Sequence, residues 1–194
     1  MRCWFCLIKR ANLKWASLLG PEYTPFKLKG LLYERDNVAS GFKYPEDGLL
    51  PLQGILTAEQ VRNPDTNSLQ GDAVRRVLKR GSTTNTTVGT VTRFLSFVRK
   101  YFPTGNLESL ELPIIPHEKD TGTFSKGGDS GSTIVSPLGE FVSLLTGGTN
   151  KGTDGSDITY STMFEWVWEL VLAEFPGASL YWDDIPAFLA AAVV

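Results

Sequence analysis

Segments typical of β-strands recur at short intervals from residue 73 onward. Turn clusters at 81–85 and 137–139 separate consecutive segments, and clusters of this kind close β-hairpins. Many short strands in succession are typical of an all-β barrel, which closes on itself and buries alternate side chains. The predicted strands are 73–80, 87–98, 110–115, 132–136, 140–146 and 158–162.

One helix is predicted, over residues 163–175, where apolar side chains recur every three or four residues. We expect this apolar stripe to pack against the barrel rather than to bind a ligand. The stripe consists of Phe164, Val167, Trp168, Val171 and Phe175. The predicted barrel core consists of Val91, Phe94, Leu95, Val98, Leu112, Ile114, Ile134, Phe141, Leu144 and Leu145.

A glycine-rich turn over residues 124–132 has the sequence Phe-Ser-Lys-Gly-Gly-Asp-Ser-Gly-Ser. Glycine adopts positive φ without a side-chain penalty, so the chain can turn tightly here. Such a turn can direct the amides of Gly128 and Ser130 at one point, where they would stabilise an oxyanion. Ser130 would be the nucleophile, and a serine nucleophile needs a base within hydrogen-bond reach. The alternative is an ordinary turn serine.

No convincing base accompanies Ser130. His117 is the single histidine of the sequence, so any Ser-His mechanism must use it, although its loop position is also typical of an exposed or capping histidine. Lys126 would form a Ser-Lys dyad only if it were desolvated and neutral. Because it lies between Ser125 and Gly127 on a loop, we expect it to be solvated.

The composition argues against several classes of function. The chain has 194 residues, of which 42% are hydrophobic and 21% charged, as in one ordinary globular domain. A net charge of −2 provides no electrostatic attraction to nucleic acid or to an anionic membrane. Cys3 and Cys6 form a lone CxxC without a second pair, so no zinc site, other metal or cofactor is predicted.

The two ends carry apolar stretches that are too short for membrane insertion. The start is interrupted by Lys9 and Arg10, unlike a secretory signal, and the apolar tail at 183–194 cannot span a bilayer. The default expectation is a soluble cytoplasmic protein, with the compartment left open.

The stretch Gly-Asp-Ser-Gly-Ser at 128–132 resembles the nucleophile motif of the chymotrypsin/trypsin-like serine peptidases. Residues 77–90 are similar to the opening hairpin of that family's second barrel, and 141–148 to the strand that lines the substrate cleft. Residues 157–175 resemble the last barrel strand and the closing helix. These blocks occur in family order over residues 42–182, and they are most similar to trypsin-like fungal proteins without an assigned function.

The resemblance implies an all-β fold. We expect a chymotrypsin-like six-stranded barrel, the second of a two-barrel fold, with a C-terminal α-helix and an irregular N-terminal extension. The barrel and helix would occupy 73–182, after a linker at 42–72. Residues 1–41 would be a remnant of the first barrel or an unrelated extension. An apolar face that the other barrel normally covers would then favour self-association or a partner.

The resemblance also implies roles for individual residues. Asp129 would turn inward and hold the turn, Asp157 would be structural, and Asp36 is a weak candidate for the orienting carboxylate. Phe124 and Ser125 correspond to the bottom of the specificity pocket. The backbone of Thr146, Gly147 and Gly148 would pair with an extended peptide.

Three functions therefore stay open. The first is a truncated or degenerate peptidase that retains Ser130 and its oxyanion turn but lacks the family His and Asp. The second is an active endopeptidase completed by His117 or by another chain. The third is a non-catalytic module that binds peptides or proteins along the cleft edge.

Overall fold

A computed structural model describes residues 16–18, 23–32, 42–46, 48–64, 66–68, 71–117, 122–149 and 158–180. The helices of this part are α1 (Pro25–Leu32), α2 (Ala58–Arg62) and α3 (Phe164–Glu174). Its strands are β1 (Ala16–Leu18), β2 (Leu49–Pro51), β3 (Thr66–Asn67), β4 (Ala73–Gly81), β5 (Asn85–Val91), β6 (Ser96–Phe102), β7 (Gly105–Pro116), β8 (Thr133–Val135), β9 (Phe141–Gly148) and β10 (Thr159–Met163). Cys3, Cys6, Asp36, Asp157 and the tail at 183–194 lie outside the described residues.

A closed ring of antiparallel strands forms the centre of the structure. The pairing runs β4–β5–β7–β10–β9–β8 and returns to β4, so each of these six strands has two neighbours in the ring. The ring encloses a core of buried side chains that includes Val77, Leu112, Ile114, Ile134 and Leu145. The predicted all-β barrel is therefore confirmed.

A ribbon of two strands projects from this ring where the sequence predicted one long strand at 87–98. β5 ends at Val91, the hydroxyl of Thr92 donates to the carbonyl of Phe94 at 2.9 Å, and β6 begins at Ser96. β6 then pairs with the first half of β7. Phe94 lies in the intervening turn and is 72% exposed, so its assignment to the core is wrong.

The remaining core predictions are met to different degrees. Leu95, Val98 and Leu144 are only half-buried. Leu95 and Val98 lie at the start of the ribbon, and Leu144 alternates with the inward Leu145 and packs against the Phe141–Phe164 cluster outside the barrel core. The other predicted core residues are buried.

α1 covers part of the outer barrel surface. Val77 faces the barrel core, and the next residue of β4, Leu78, points outward as strand alternation requires. Leu78 packs with Leu28 and Leu32 of α1, which lie one helical turn apart. No periodicity in residues 1–41 predicts this helix, because its stability comes from the apolar surface beneath it.

α3 packs against β9 through its first two turns. The ring of Phe164 stacks on Phe141 of β9 at a centroid distance of 4.5 Å, and Trp168 follows at 6.5 Å from Phe164. Phe175 lies one residue beyond the helix and is 59% exposed. The apolar stripe thus packs against the barrel as predicted at its start, but not at Phe175.

We expect Leu28→Ala to lower the free energy of unfolding by about 2–5 kcal/mol, because it removes a fully buried side chain between α1 and β4. Phe26→Ala on the same helix is the matched control. Phe26 is 88% exposed, and its truncation should change stability by less than about 0.5 kcal/mol. Urea denaturation of both variants measures the difference, and equal effects would show that α1 does not depend on this contact.

Candidate functional site

The turn at Ser130 has the backbone conformation that its glycines allow. Gly128 has φ 100° and Gly131 has φ 81°, both in the left-handed region that favours glycine. The amide of Gly131 donates to the carbonyl of Leu145 at 2.8 Å, which ties the turn to β9. Ser130 lies between the two glycines with its side chain exposed.

Asp129 points in the opposite direction and is fully buried. Its carboxylate accepts hydrogen bonds from the Thr83 amide at 2.7 Å, the Thr84 hydroxyl at 2.6 Å and the Lys126 amide at 3.1 Å. Lys79 Nζ, also fully buried, lies 3.3 Å from Asp129 Oδ2. The turn is therefore anchored by a buried carboxylate held in the β4–β5 hairpin.

Burial and hydrogen bonding shift the pKa values of both Asp129 and Lys79. Burial alone would raise the pKa of Asp129, but its hydrogen bonds from Thr84, Thr83 and Lys126 and the charge of Lys79 hold that pKa well below 3.8. Burial lowers the pKa of Lys79 below 10.5, and the neighbouring Asp129 opposes this shift. Lys79 also donates to the Thr84 hydroxyl at 2.6 Å. Asp129 is therefore ionised near neutral pH, and its charge favours the protonated form of Lys79.

The hairpin can approach Asp129 only because residue 81 is glycine. A Cβ at Gly81 would stand 2.3 Å from Asp129 Oδ1, well inside van der Waals contact. A Cβ at Gly128 would meet Thr83 Oγ1 at 2.5 Å. The Ser130 turn and the β4–β5 hairpin are thus packed against each other at two glycines.

The amides of Gly128 and Ser130 are the predicted oxyanion donors. Neighbouring amides of the turn are engaged, since Asp129 donates to the Lys126 carbonyl at 3.1 Å and Ser132 to the Asp129 carbonyl at 3.0 Å. Within the described residues, the Gly128 and Ser130 amides donate to no protein acceptor. Both remain available to an oxygen atom of a ligand.

Neither candidate base forms a hydrogen bond with the Ser130 side chain. Ser130 Oγ forms no hydrogen bond to any described residue, including His117. His117 follows the end of β7 and is half-buried. The Lys126 side chain is exposed, as expected for a solvated lysine, and only its backbone amide supports the turn, through Asp129.

The two residues assigned to the pocket bottom lie beneath the surface. Phe124 is 1% exposed within the barrel core, and its carbonyl accepts from the Thr87 hydroxyl at 2.8 Å. Ser125 is 3% exposed, with its hydroxyl 2.6 Å from that of Thr159. A Cβ at Gly148 would stand 3.7 Å from Ser125 Oγ, so this hydroxyl pair lies directly below the end of β9.

The end of β9 has one edge without a described strand partner. β8 pairs with β9 only as far as Leu144, whereas β10 follows the other edge to Gly148. The Thr149 amide donates to the Ile158 carbonyl at 2.9 Å, on the β10 side. Since alternate residues of a strand use opposite edges, Gly148 directs its N–H and C=O to the edge that has no described strand partner. This edge, from Leu145 to Gly148, is called the free edge of β9.

Lys79, Thr83 and Thr84 are site residues that sequence reasoning missed. Lys79 is two residues from Val77 on β4 and therefore shares its inward face. A lysine at an inward position needs a buried partner, and Asp129 was already expected to turn inward. Side-chain alternation along β4, together with that expectation, would have predicted that Lys79 pairs with Asp129.

Two further observations concern the described residues. None of their helices combines the length and the hydropathy needed to cross a membrane. Their histidine, cysteine and acidic residues form no group of three that could hold a metal ion.

Comparisons with known proteins yield only structural matches, since neither a family model nor a curated protein matches the chain. A chymotrypsin from Cellulomonas bogoriensis is 17% identical with a TM-score of 0.42, matching 66% of this chain and 56% of its own. The Nocardiopsis protease NAPase is 18% identical with a TM-score of 0.42, matching 68% of this chain and 55% of its own.

A third solved structure is described as a glutamic acid specific serine protease that utilizes a novel histidine triad in substrate binding. It is 18% identical with a TM-score of 0.40, and the match covers 72% of this chain and 61% of that one. The chain thus spans little more than half the length of these chymotrypsin-like proteases. Superpositions with TM-scores near 0.4 do not carry an activity over, and the barrel assignment rests on the strand pairing.

We predict that Gly128→Ala disrupts the turn, because a Cβ there meets Thr83 and must adopt positive φ. Stability should fall by about 1–3 kcal/mol, the range for strain at such a position. Gly127→Ala is the matched control, since a Cβ at Gly127 has open space around it. Thermal or urea unfolding measures the contrast, and a Gly128→Ala variant as stable as Gly127→Ala would contradict it.

We predict that Asp129→Asn lowers stability at pH 7 by about 3–5 kcal/mol, because it leaves the buried Lys79 without a charged partner. Because the folded-state pKa of Asp129 is lowered, its contribution is complete well above pH 3.8 and is lost as the pH falls below that value. The difference between wild type and Asp129→Asn should therefore shrink as the pH falls from about 4.5 to about 2.5, by about 1.4 kcal/mol per pH unit at most.

Glu108→Gln provides the control for that pH series. Glu108 is half-exposed and pairs with Arg99 at 2.5 Å, so its neutralisation should cost about 1 kcal/mol or less at any pH. Urea denaturation at each pH gives all three free energies. A constant difference between wild type and Asp129→Asn across the series would refute the lowered pKa.

Proposed function

We propose that this barrel is a serine-peptidase-type domain that binds an extended polypeptide and has little or no hydrolytic activity as this chain alone. The observation that carries the proposal is the turn at Ser130, which combines an exposed serine with the unengaged amides of Gly128 and Ser130 and is held by the buried Asp129. An ordinary surface turn requires neither a buried ion pair nor two left-handed glycines.

The turn supports binding of a peptide carbonyl. The unengaged amides of Gly128 and Ser130 are donors of the kind that stabilise a developing oxyanion. Asp129 fixes the peptide unit between them through bonds to Thr83, Thr84 and Lys126. Because these donors are already ordered, a bound carbonyl oxygen does not have to reorganise the turn.

The free edge of β9 supports binding of the peptide backbone. Gly148 directs its backbone groups to this edge, where an added strand would complete the ladder that β8 leaves at Leu144. Gly147 and Gly148 lack side chains, so a peptide backbone can approach closely. The edge runs next to the turn, since Leu145 of β9 is hydrogen-bonded to both Gly131 and Ser132.

The hydrogen-bond environment of Ser130 supports a low hydrolytic activity. A serine hydroxyl attacks efficiently only when a base accepts its proton, and no described residue bonds Ser130 Oγ. Loss of triad members leaves only the contribution of the oxyanion donors and of substrate binding. Of the three functions left open by the sequence, the described residues therefore support the degenerate peptidase.

A serine-directed fluorophosphonate probe tests the chemical part. We expect wild type to label no faster than Ser130→Ala, and we expect His117→Ala to behave as wild type. Stoichiometric labelling that is lost in both variants would instead show that His117 serves as the base, and the protein would be a working hydrolase. Binding of unstructured peptides to Ser130→Ala, followed by fluorescence anisotropy, tests the binding part separately.

A further inference from the structure

The β6–β7 ribbon presents two different faces, each with one cation. Side chains alternate along a strand, so Arg99 and Lys100 lie on opposite faces of β6. Arg99 forms an ion pair with Glu108 at 2.5 Å and lies 5.7 Å from the ring of Phe97. Lys100 extends from the other face towards β9.

Lys100 reaches the backbone of the free β9 edge. Its Nζ lies 3.5 Å from the carbonyl oxygen of Thr146 and would be 3.7 Å from a Cβ at Gly147. A bond of this length is at the limit of hydrogen bonding, so a closer acceptor would displace it easily. The missing side chain of Gly147 leaves the approach to the ammonium open.

The ammonium of Lys100 is exposed and forms no ion pair with a described residue. The nearest carboxylate around Thr146, that of Glu111, is 5% exposed and is occupied by hydroxyl donors. These donors are Ser109 at 2.8 Å, Thr162 at 3.0 Å and Thr146 at 3.2 Å. Glu111 thus accepts from three hydroxyl groups, and the exposed ammonium of Lys100 forms no ion pair with it.

We infer that Lys100 selects polypeptides that carry an aspartate or glutamate at the position lying over Gly147. This inference rests on the proposed peptide binding along β9 and specifies its ligand class. A carboxylate from the peptide would draw Lys100 away from the Thr146 carbonyl, and that carbonyl would become free to accept from the peptide backbone. A neutral peptide has to compete with Lys100 for the same acceptor.

Leu107 provides an apolar side chain next to Lys100. It lies directly opposite Lys100 in the β6–β7 register and is 55% exposed. An apolar neighbour lowers the local dielectric and strengthens an ion pair formed beside it. The ligand is therefore an acidic, extended segment rather than a polycationic one.

A positional peptide array tests the inference. Eight-residue peptides carry Glu or Gln at one position in turn, with the other positions randomised, and binding of fluorescently labelled protein is compared. We expect wild type to favour Glu over Gln at one position by about three- to fivefold, a ratio typical of one exposed ion pair. Lys100→Gln should abolish this ratio, and added salt at about 1 M should reduce it.

Arg99→Gln is the matched control, because it removes the same charge from the adjacent residue on the opposite face. It should retain the Glu preference. Peptide binding without a Glu preference in wild type, or a preference that survives Lys100→Gln, would overturn the role of Lys100 and leave the proposed function intact. An array that no variant binds would overturn both.

Discussion

The buried carboxylate of Asp129 is the interaction on which the candidate site depends. It joins two parts that are distant in sequence, namely the β4–β5 hairpin, through Lys79, Thr83 and Thr84, and the turn that presents Ser130. A buried carboxylate costs much free energy unless it is paired and hydrogen-bonded, and here each oxygen has partners. The turn therefore has little freedom to adopt another conformation without exposing or orphaning that charge.

The residues that stabilise the barrel differ from those that form the candidate site. Packing of the ring and of α1 and α3 around it provides the stability, through residues such as Ile114, Leu78 and Phe164. The Ser130 turn and the free edge of β9 lie at the rim and contribute little to that packing. The amides that we propose as donors to a peptide thus have no acceptor among the described residues, while the buried pair keeps the turn in place.

The β6–β7 ribbon adds a charged side chain to the surface beside β9. In a closed barrel every ring strand has two neighbours, but β6 pairs with β7 alone among the described strands. The ribbon thereby carries Lys100 to the backbone of Thr146. A charge that originates far from the turn in sequence thus becomes part of the surface where a polypeptide would lie.

Local features of the sequence predicted much of the fold. Alternation and turn residues located the six ring strands, and three- to four-residue spacing located α3. They failed where local pattern and tertiary context disagree. The apolar run at 87–98 looks continuous, but the chain leaves the barrel at Thr92, and Phe94 becomes exposed. α1 has no distinctive pattern, because only the outer surface of β4 makes its two leucines a packing face.

The sequence alone determined the all-β class and the turn at Ser130, because strand alternation and left-handed glycines act over a few residues. Tertiary structure decided which groups meet. It brought Lys79 to Asp129 and Lys100 to Thr146, and it left Ser130 without a described hydrogen-bond partner. Those outcomes depend on barrel closure and on the path of the ribbon. Both are set by contacts between residues far apart in the chain, which no local pattern records.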